Sequence, residues 1–226
     1  KLARSRRSKI ELTAYDDLFE TDVSRAEANL SKIREIPISE IDEFPDHPFK
    51  VLMDEDMEQL VDSIKRIGVM TPATVRQKED GRYELISGHR RKRACEVAGF
   101  DVLKCEVKEL SRDESIIVMV ESNLQRSTIL PSEKAFAYKM RLEAMNRQGE
   151  RSDLTSCPVG NKFTSASKVA KEVGDSERQI FRYIRLTELV PEILEMVDEH
   201  LIAFRPAVEI SYLSDEQQYT LLEAMS

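Results

Sequence analysis

The sequence contains no tryptophan and only seven glycines among its 226 residues. A β-sandwich whose many short strands turn on glycine and proline is therefore not expected. No apolar run approaches the ~18 residues that suggest a membrane-spanning helix. The basic start, Lys1 to Lys9, is followed by no apolar segment of the kind a signal peptide carries. Cys95, Cys105 and Cys157 have neither C-x-x-C spacing nor a histidine at ligand spacing. A zinc site or a disulfide framework is not expected from them, and they read as reduced thiols of a cytoplasmic protein. The chain lacks an initiator methionine and ends inside a helical pattern, so it reads as a piece of something longer.

What the sequence has in quantity is charge, and the charge is uneven. The net value is -8. Residues 161–187 nevertheless set Lys162, Lys168, Lys171, Arg178, Arg182 and Arg185 against Glu172, Asp175 and Glu177. Residues 192–226 carry Arg205 as their sole cation amid eight acids. An acidic chain binds nucleic acid only where its cations are gathered, and here that place is 161–187. Lys1, Arg4, Arg6, Arg7 and Lys9 form a second basic cluster at the start.

Hydrophobic spacing divides the chain. Residues 1–32 show no sustained periodicity and are expected to form a flexible arm. Ile33 to Ile41 is short and β-prone, and Pro37 confines it to a sheet edge. Met57, Leu60, Val61, Ile64 and Ile67 recur on one helical face, with Asp54 to Asp56 at the N-terminal end and Gly68 as the stop. Ala73 to Arg76 and Tyr83 to Ile86 read as strands around Glu79-Asp80-Gly81, and His89 to Ala98 as a helix. Leu103, Cys105 and Val107 alternate with charged residues as a half-buried strand.

From Ser111 the pattern is helical. Ser111 to Glu114 and Ser176 to Gln179 are capping-box sequences. Pro131 opens a helix expected to stop at Gly149, and Pro191 and Ser214 open two more. The reading is α+β: a small α/β domain over 33–126, then an all-α domain over 127–226.

Two places carry chemistry. At Tyr83 to Ala94 a strand runs through Gly88 into a helix that begins Arg90, Arg91, Lys92, Arg93. The free N–H groups and dipole of a helix N-terminus attract anions, and Gly88 lets a phosphate approach the backbone. Four cations in the first turn oppose the dipole, so an anionic ligand would compensate; a solvated basic helix start is the plainer reading. The second place is Ser165 to Val173, the Gly174-Asp175 turn and Ser176 to Leu186, which have helix-turn-helix proportions. Ile180, Phe181 and Ile184 are expected inward. Ser176, Arg178, Gln179, Arg182 and Tyr183 are expected to face DNA bases and phosphates, with Lys168 and Lys171 on the backbone. A helical hairpin with an ordinary polar face is the alternative.

The segment GHRRKRA (Gly88 to Ala94) resembles the GERRxRA motif of the ParB family of partition proteins. GVMTP (Gly68 to Pro72) is similar to its GVxQP, and NLQR (Asn123 to Arg126) to the end of its ENLQR. The resemblance covers about 33–215 and implies a sulfiredoxin-like α/β domain that binds CTP with Mg2+, joined to a helix-turn-helix. Carried over, Gly68, Val69, Thr71, Pro72, Gly88, His89, Arg90, Arg91, Asn123 and Arg126 are the nucleotide-binding candidates. Arg91 is the candidate for nucleotide-dependent clamping and any weak CTP hydrolysis, and Asn123 with Glu121 the candidate metal pair. Two positions depart: His89 and Ser122 stand where the family motifs have glutamate. The downstream stretch Phe204 to Glu209 also departs from the family's centromere-reading sequence, placing Val208 near the position of its arginine. A different DNA site, as in plasmid or mobile-element relatives, is implied.

The expected function is binding of a centromere-like site as a homodimer, switched by CTP, with a ParA-like ATPase partner and a nucleoid or plasmid association. The alternatives are a nucleotide-independent helix-turn-helix regulator on the same fold and a sulfiredoxin-type enzyme. The last needs a cysteine where Gly88 stands.

Overall fold

In a computed structural model, residues 33–126, 128–152 and 165–225 are described, without the side chains of 149–152. The arm expected over 1–32 lies outside them, as do residues 153–164.

Five strands form one sheet in the order β1-β5-β3-β4-β2. They are β1 (Ile33–Pro37), β2 (Ile41–Asp42), β3 (Ala73–Gln77), β4 (Tyr83–Ser87) and β5 (Val102–Lys108). β1 runs antiparallel to β5 at one edge, with Pro37 opposite Val102, the edge position a residue without an N–H tolerates. β3 and β4 form an antiparallel hairpin, while β3 with β5 and β2 with β4 are parallel. The hairpin turns at Gly81, whose φ is 85°.

Alternation along the strands gives the sheet two apolar faces. Ala73, Val75, Leu85, Leu103 and Cys105 pack with Met57, Val61 and Ile64 of α1 (Glu55–Ile67) and Ala94 and Cys95 of α2 (His89–Ala98). Ile67, expected on this face, is 56% exposed. Ten residues on from Met57, an ideal helix has turned about 80° off the seam. Ile86 points the other way, into a cluster with Phe44, Phe49 and the helices α3 (Arg112–Leu124) and α4 (Pro131–Ser152). Ser111 and Glu114 form the expected capping box of α3. Cys95 and Cys105 are buried and unbridged, and burial pushes the Cys105 thiol up to about 12.

The remaining helices are α5 (Ser165–Val173), α6 (Glu177–Arg185), α7 (Pro191–Asp198), α8 (Phe204–Ile210) and α9 (Asp215–Met225). They gather on α4. That helix continues through Gly149 to Ser152, past the stop expected there, because one interior glycine costs only about 1 kcal/mol. Gln218 of α9 is fully buried: it accepts from the Val190 N–H at 2.9 Å and donates to Glu188 O at 3.0 Å and Leu213 O at 3.1 Å. It thereby satisfies the start of α7, which has no side-chain cap.

Candidate functional site

The chain leaves β4 through Gly88 at φ 107° and ψ 23°, a left-handed conformation that costs other residues energy. A Cβ there would lie 2.9 Å from Ala73 Cβ and 3.3 Å from Arg91 Cζ. Glycine is thus required twice, by conformation and by space. No side chain caps α2 and its first turn holds no acid. The N–H groups of that turn lack the partner most helices provide.

Around this N-terminus the first two motifs meet. Arg91 Nη1 donates to the carbonyls of Thr71 at 2.7 Å and Pro72 at 2.5 Å, so the guanidinium struts the Gly68 to Pro72 loop. Loop and strut line a cleft of about 140 Å³ with Leu60, Ser63 and Ile64 of α1. Burial pulls the Arg91 pKa down. Arg90 Nη2 reaches Asp54, the N-cap of α1, at 3.3 Å. Its Nε is buried with no hydrogen-bond partner, which is costly for a charged donor.

The third motif arrives from the end of α3. Arg126 lies 5.5 Å above the Phe49 ring, and its pKa is lowered by burial, opposed by the charge of Glu133 and reinforced by the like charge of Arg90. Asn123 is buried, its Nδ2 donating to Met119 O at 2.8 Å. Glu121 does not join it: the two positions are about 160° apart around the helix, and Glu121 Oε1 accepts from Arg141 Nη2 at 2.6 Å. The expected metal pair is therefore not assembled. No group of three His, Cys, Asp or Glu side chains that could hold a metal occurs among the described residues.

His89 is 5% exposed and does not cap its helix. Its ring stacks on His47 with centroids 3.7 Å apart and planes 34° apart. Nε2 of both rings is buried without a hydrogen-bond partner. Burial, then the neighbouring His47, Lys92 and Arg126, push the His89 pKa down to about 3. Burial also lowers that of His47. Both rings are neutral at pH 7. Lys92 is also buried, with Nζ 2.5 Å from Glu43, so α2 does not begin as a solvated basic turn. Sequence reasoning missed His47, Phe49, Asp54 and Glu43, which no spacing connects to position 89.

The helix-turn-helix is present. α5 and α6 flank Gly174 at φ 79° and Asp175. Asp175 accepts from Tyr138 OH at 2.6 Å and pairs with Lys134 at 2.8 Å, which pins the turn to α4. Ser176 Oγ accepts from the Gln179 N–H at 3.2 Å. Lys168, Lys171, Ser176 and Arg178 are exposed; Gln179 is half-buried. Arg182 is half-buried over the Phe204 ring at 5.3 Å. Two expectations exchange places. Tyr183 faces inward, 4.6 Å from the Phe204 ring and 5.9 Å from Tyr138, while Phe181 is 52% exposed. Ile180 sets the phase: Tyr183 and Ile184 lie within about 60° of it, and Phe181 about 100° away. Val208 of α8 is 3% exposed and belongs to the helical core.

The order of motifs, strands and helices has a counterpart. Residues 22–124 match the ParB N-terminal domain. Over this stretch the chain is a ParB N-terminal domain. It is 31% identical over 193 residues to a nucleoid occlusion protein of Geobacillus sp. (strain WCH70), covering 85% of this chain and 63% of that one. It is 31% identical over 183 residues to the chromosome-partitioning protein Spo0J of Thermus thermophilus, 81% of this chain and 61% of that one. With the chromosome-partitioning protein ParB of Caulobacter vibrioides the identity is 30% over 181 residues, 78% and 54%. The chain thus spans less than two thirds of each of these relatives. Two solved structures share the fold. One is C-terminally truncated ParB of Caulobacter crescentus complexed to the centromeric parS site, at TM-score 0.50 and 24% identity over 85% of this chain and 93% of that one. The other is a Pnob8-like ParB N-domain, at TM-score 0.51 and 15% identity over 85% and 81%.

Proposed function

We propose that this chain binds a specific double-stranded DNA site through α5 and α6 and a cytidine triphosphate at the N-terminus of α2. The nucleotide sets how the chain holds DNA. The observation that carries the nucleotide part is the convergence of unpartnered donors at one helix start. The uncapped first turn of α2 with its buried Arg90 Nε, and the Arg126 guanidinium just past α3, come from two separate stretches. Polyphosphate supplies the acceptors and negative charge that such a cluster lacks. The Gly68 to Pro72 loop, braced by Arg91, is suited to the base and sugar. Asn123 and Arg126 face the phosphate side. In this reading Arg91 positions the loop.

Magnesium does not find a cage of protein oxygens here. Glu121 is engaged by Arg141, and Ser122 Oγ donates to Met119 O at 2.9 Å. The site is assigned binding rather than turnover. Arg178, Gln179 and Arg182 are assigned to the major groove, Lys168, Lys171 and Ser176 to the phosphates. A homodimer, a ParA-like ATPase partner and association with a nucleoid or plasmid belong to the same proposal. No helix of the described residues is long and apolar enough to cross a membrane.

The second reading is a regulator that binds DNA without nucleotide. It is favoured by the engagement of Arg91 with two carbonyls and of Glu121 with Arg141. Selection of bound duplexes from a random pool, with and without CTP and magnesium, separates the two. The proposal expects one enriched sequence whose retention changes with CTP. Enrichment indifferent to CTP supports the second reading, and no enrichment contradicts both.

A further inference from the structure

We infer that His47 and His89 form a stacked dyad that contacts the phosphates of the bound nucleotide and takes up a proton as it does so. The inference rests on the nucleotide reading and adds to it a residue, His47, that no motif contains.

His47 Nδ1 lies 2.8 Å from Phe49 O. A carbonyl oxygen only accepts, so Nδ1 carries the hydrogen. In the neutral ring Nε2 is then a bare lone pair. That lone pair is buried and unpartnered, as is Nε2 of His89. Unsatisfied polar atoms in a buried position are costly and rare, and two of them on stacked rings 3.7 Å apart mark a place completed by something else.

The surroundings select the completing chemistry. From α2, Lys92 faces the dyad; from the end of α3, Arg126 does; Glu43, after β2, is the facing acid. Glu43 is shared, with its carboxylate 2.5 Å from Lys92 Nζ and 3.7 Å from His89 Nε2. On Arg126 act the acid Glu133 and, less strongly, the cation Arg90, so Lys92, Arg126 and Arg90 face Glu43 and Glu133, one cation in excess. A phosphate oxygen fits the charge, but it is an acceptor and meets a lone pair at His47 Nε2. The contact forms once that nitrogen gains a proton from solvent, giving an imidazolium with two N–H donors and a charge-assisted bond to the phosphate. The proton comes from buffer, and no bond of the nucleotide breaks. Two stacked rings hold one proton between them more readily than two, since like charges this close repel.

The alternative within the same site is that His47 Nε2 accepts from an amine or hydroxyl of the ligand. That arrangement takes up no proton, so proton counting decides between them.

The experiment is calorimetric titration of the full chain with CTP and magnesium at pH 7, in Pipes and in Tris, whose ionisation enthalpies differ. It is repeated for His47→Gln and His89→Gln, with thermal melts to confirm folding. Glutamine at 47 offers a permanent N–H donor and controls for protons exchanged by the nucleotide and metal. The wild type is expected to show a buffer-dependent enthalpy corresponding to a net uptake, rising toward roughly one proton as pH falls, with affinity strengthening by up to ~tenfold per pH unit. His47→Gln is expected to bind with little or no uptake and a flat pH profile. Binding without uptake in the wild type, or equal uptake in wild type and both variants, overturns the dyad and leaves the nucleotide site standing. Absence of CTP binding in the wild type, checked by equilibrium dialysis, overturns both.

Discussion

Gly88 concentrates most at the scale of single residues. Its left-handed backbone and its closeness to Ala73 make any side chain costly. Gly88→Ala is expected to lose about 1–3 kcal/mol of unfolding free energy in urea titration, since strain and displacement of β3 act together. Retention of full stability would show that the turn relaxes freely. The histidines give a pH dependence with a definite sign. The His89 pKa falls from 6.5 unfolded to about 3 folded, so below 6.5 the unfolded chain binds the extra proton. Stability is complete above pH 6.5 and declines as pH falls from 6.5 toward 3, with a limiting slope of about 1.4 kcal/mol per unit for this group. Melting temperatures from pH 7.5 to 5 should fall more in the wild type than in His89→Gln. Equal falls would assign the loss to other groups. The glycines and arginines here were legible because their backbone roles demand those residue types. His47 was not, because its partner lies 42 positions away and stacking leaves no local pattern.

Among elements, the helix-turn-helix shows how far periodicity reaches. The proportions of α5 and α6, the Gly174 turn and the Ser176 cap were all readable. The phase of α6 was not, since Tyr183 and Phe181 are both aromatic and only the packing against Tyr138 and Phe204 distinguishes them. The two should behave oppositely. Tyr183→Ala is expected to destabilise the chain by about 1–3 kcal/mol, by loss of buried ring area. Phe181→Ala should alter stability by no more than about 0.5 kcal/mol and weaken binding to a selected duplex, because its exposed ring sits on the helix face assigned to the groove. Urea titration and duplex binding on both variants check this. A destabilised Phe181→Ala would place that ring in a core. Gly149 is the corresponding lesson for α4, where packing outweighs one unfavourable residue.

For the molecule as a whole, α4 joins the two halves. Arg141 is 2% exposed and pairs with Glu121 of α3 and Glu172 of α5. The segment that ends in Asn123 and Arg126 is thereby tied to α5, the first helix of the helix-turn-helix. In the proposed function this connection would give a nucleotide at α2 a physical route to α5 and α6. Sequence reading could not reach it, because Glu121 looked like a metal ligand one position out of register. The sheet, the two-part architecture and the ParB N-terminal domain were legible together because three short motifs with backbone-level demands fall in order along 33–126.

The most direct test of the central claim is a calorimetric titration with CTP, using ATP and GTP as controls, on the wild type and Arg90→Ala. The account predicts saturable binding of CTP and a loss of roughly tenfold or more in affinity on removing Arg90, the weight of a charged hydrogen bond. Binding of no nucleotide by the folded chain, or CTP affinity unchanged in Arg90→Ala, would contradict it.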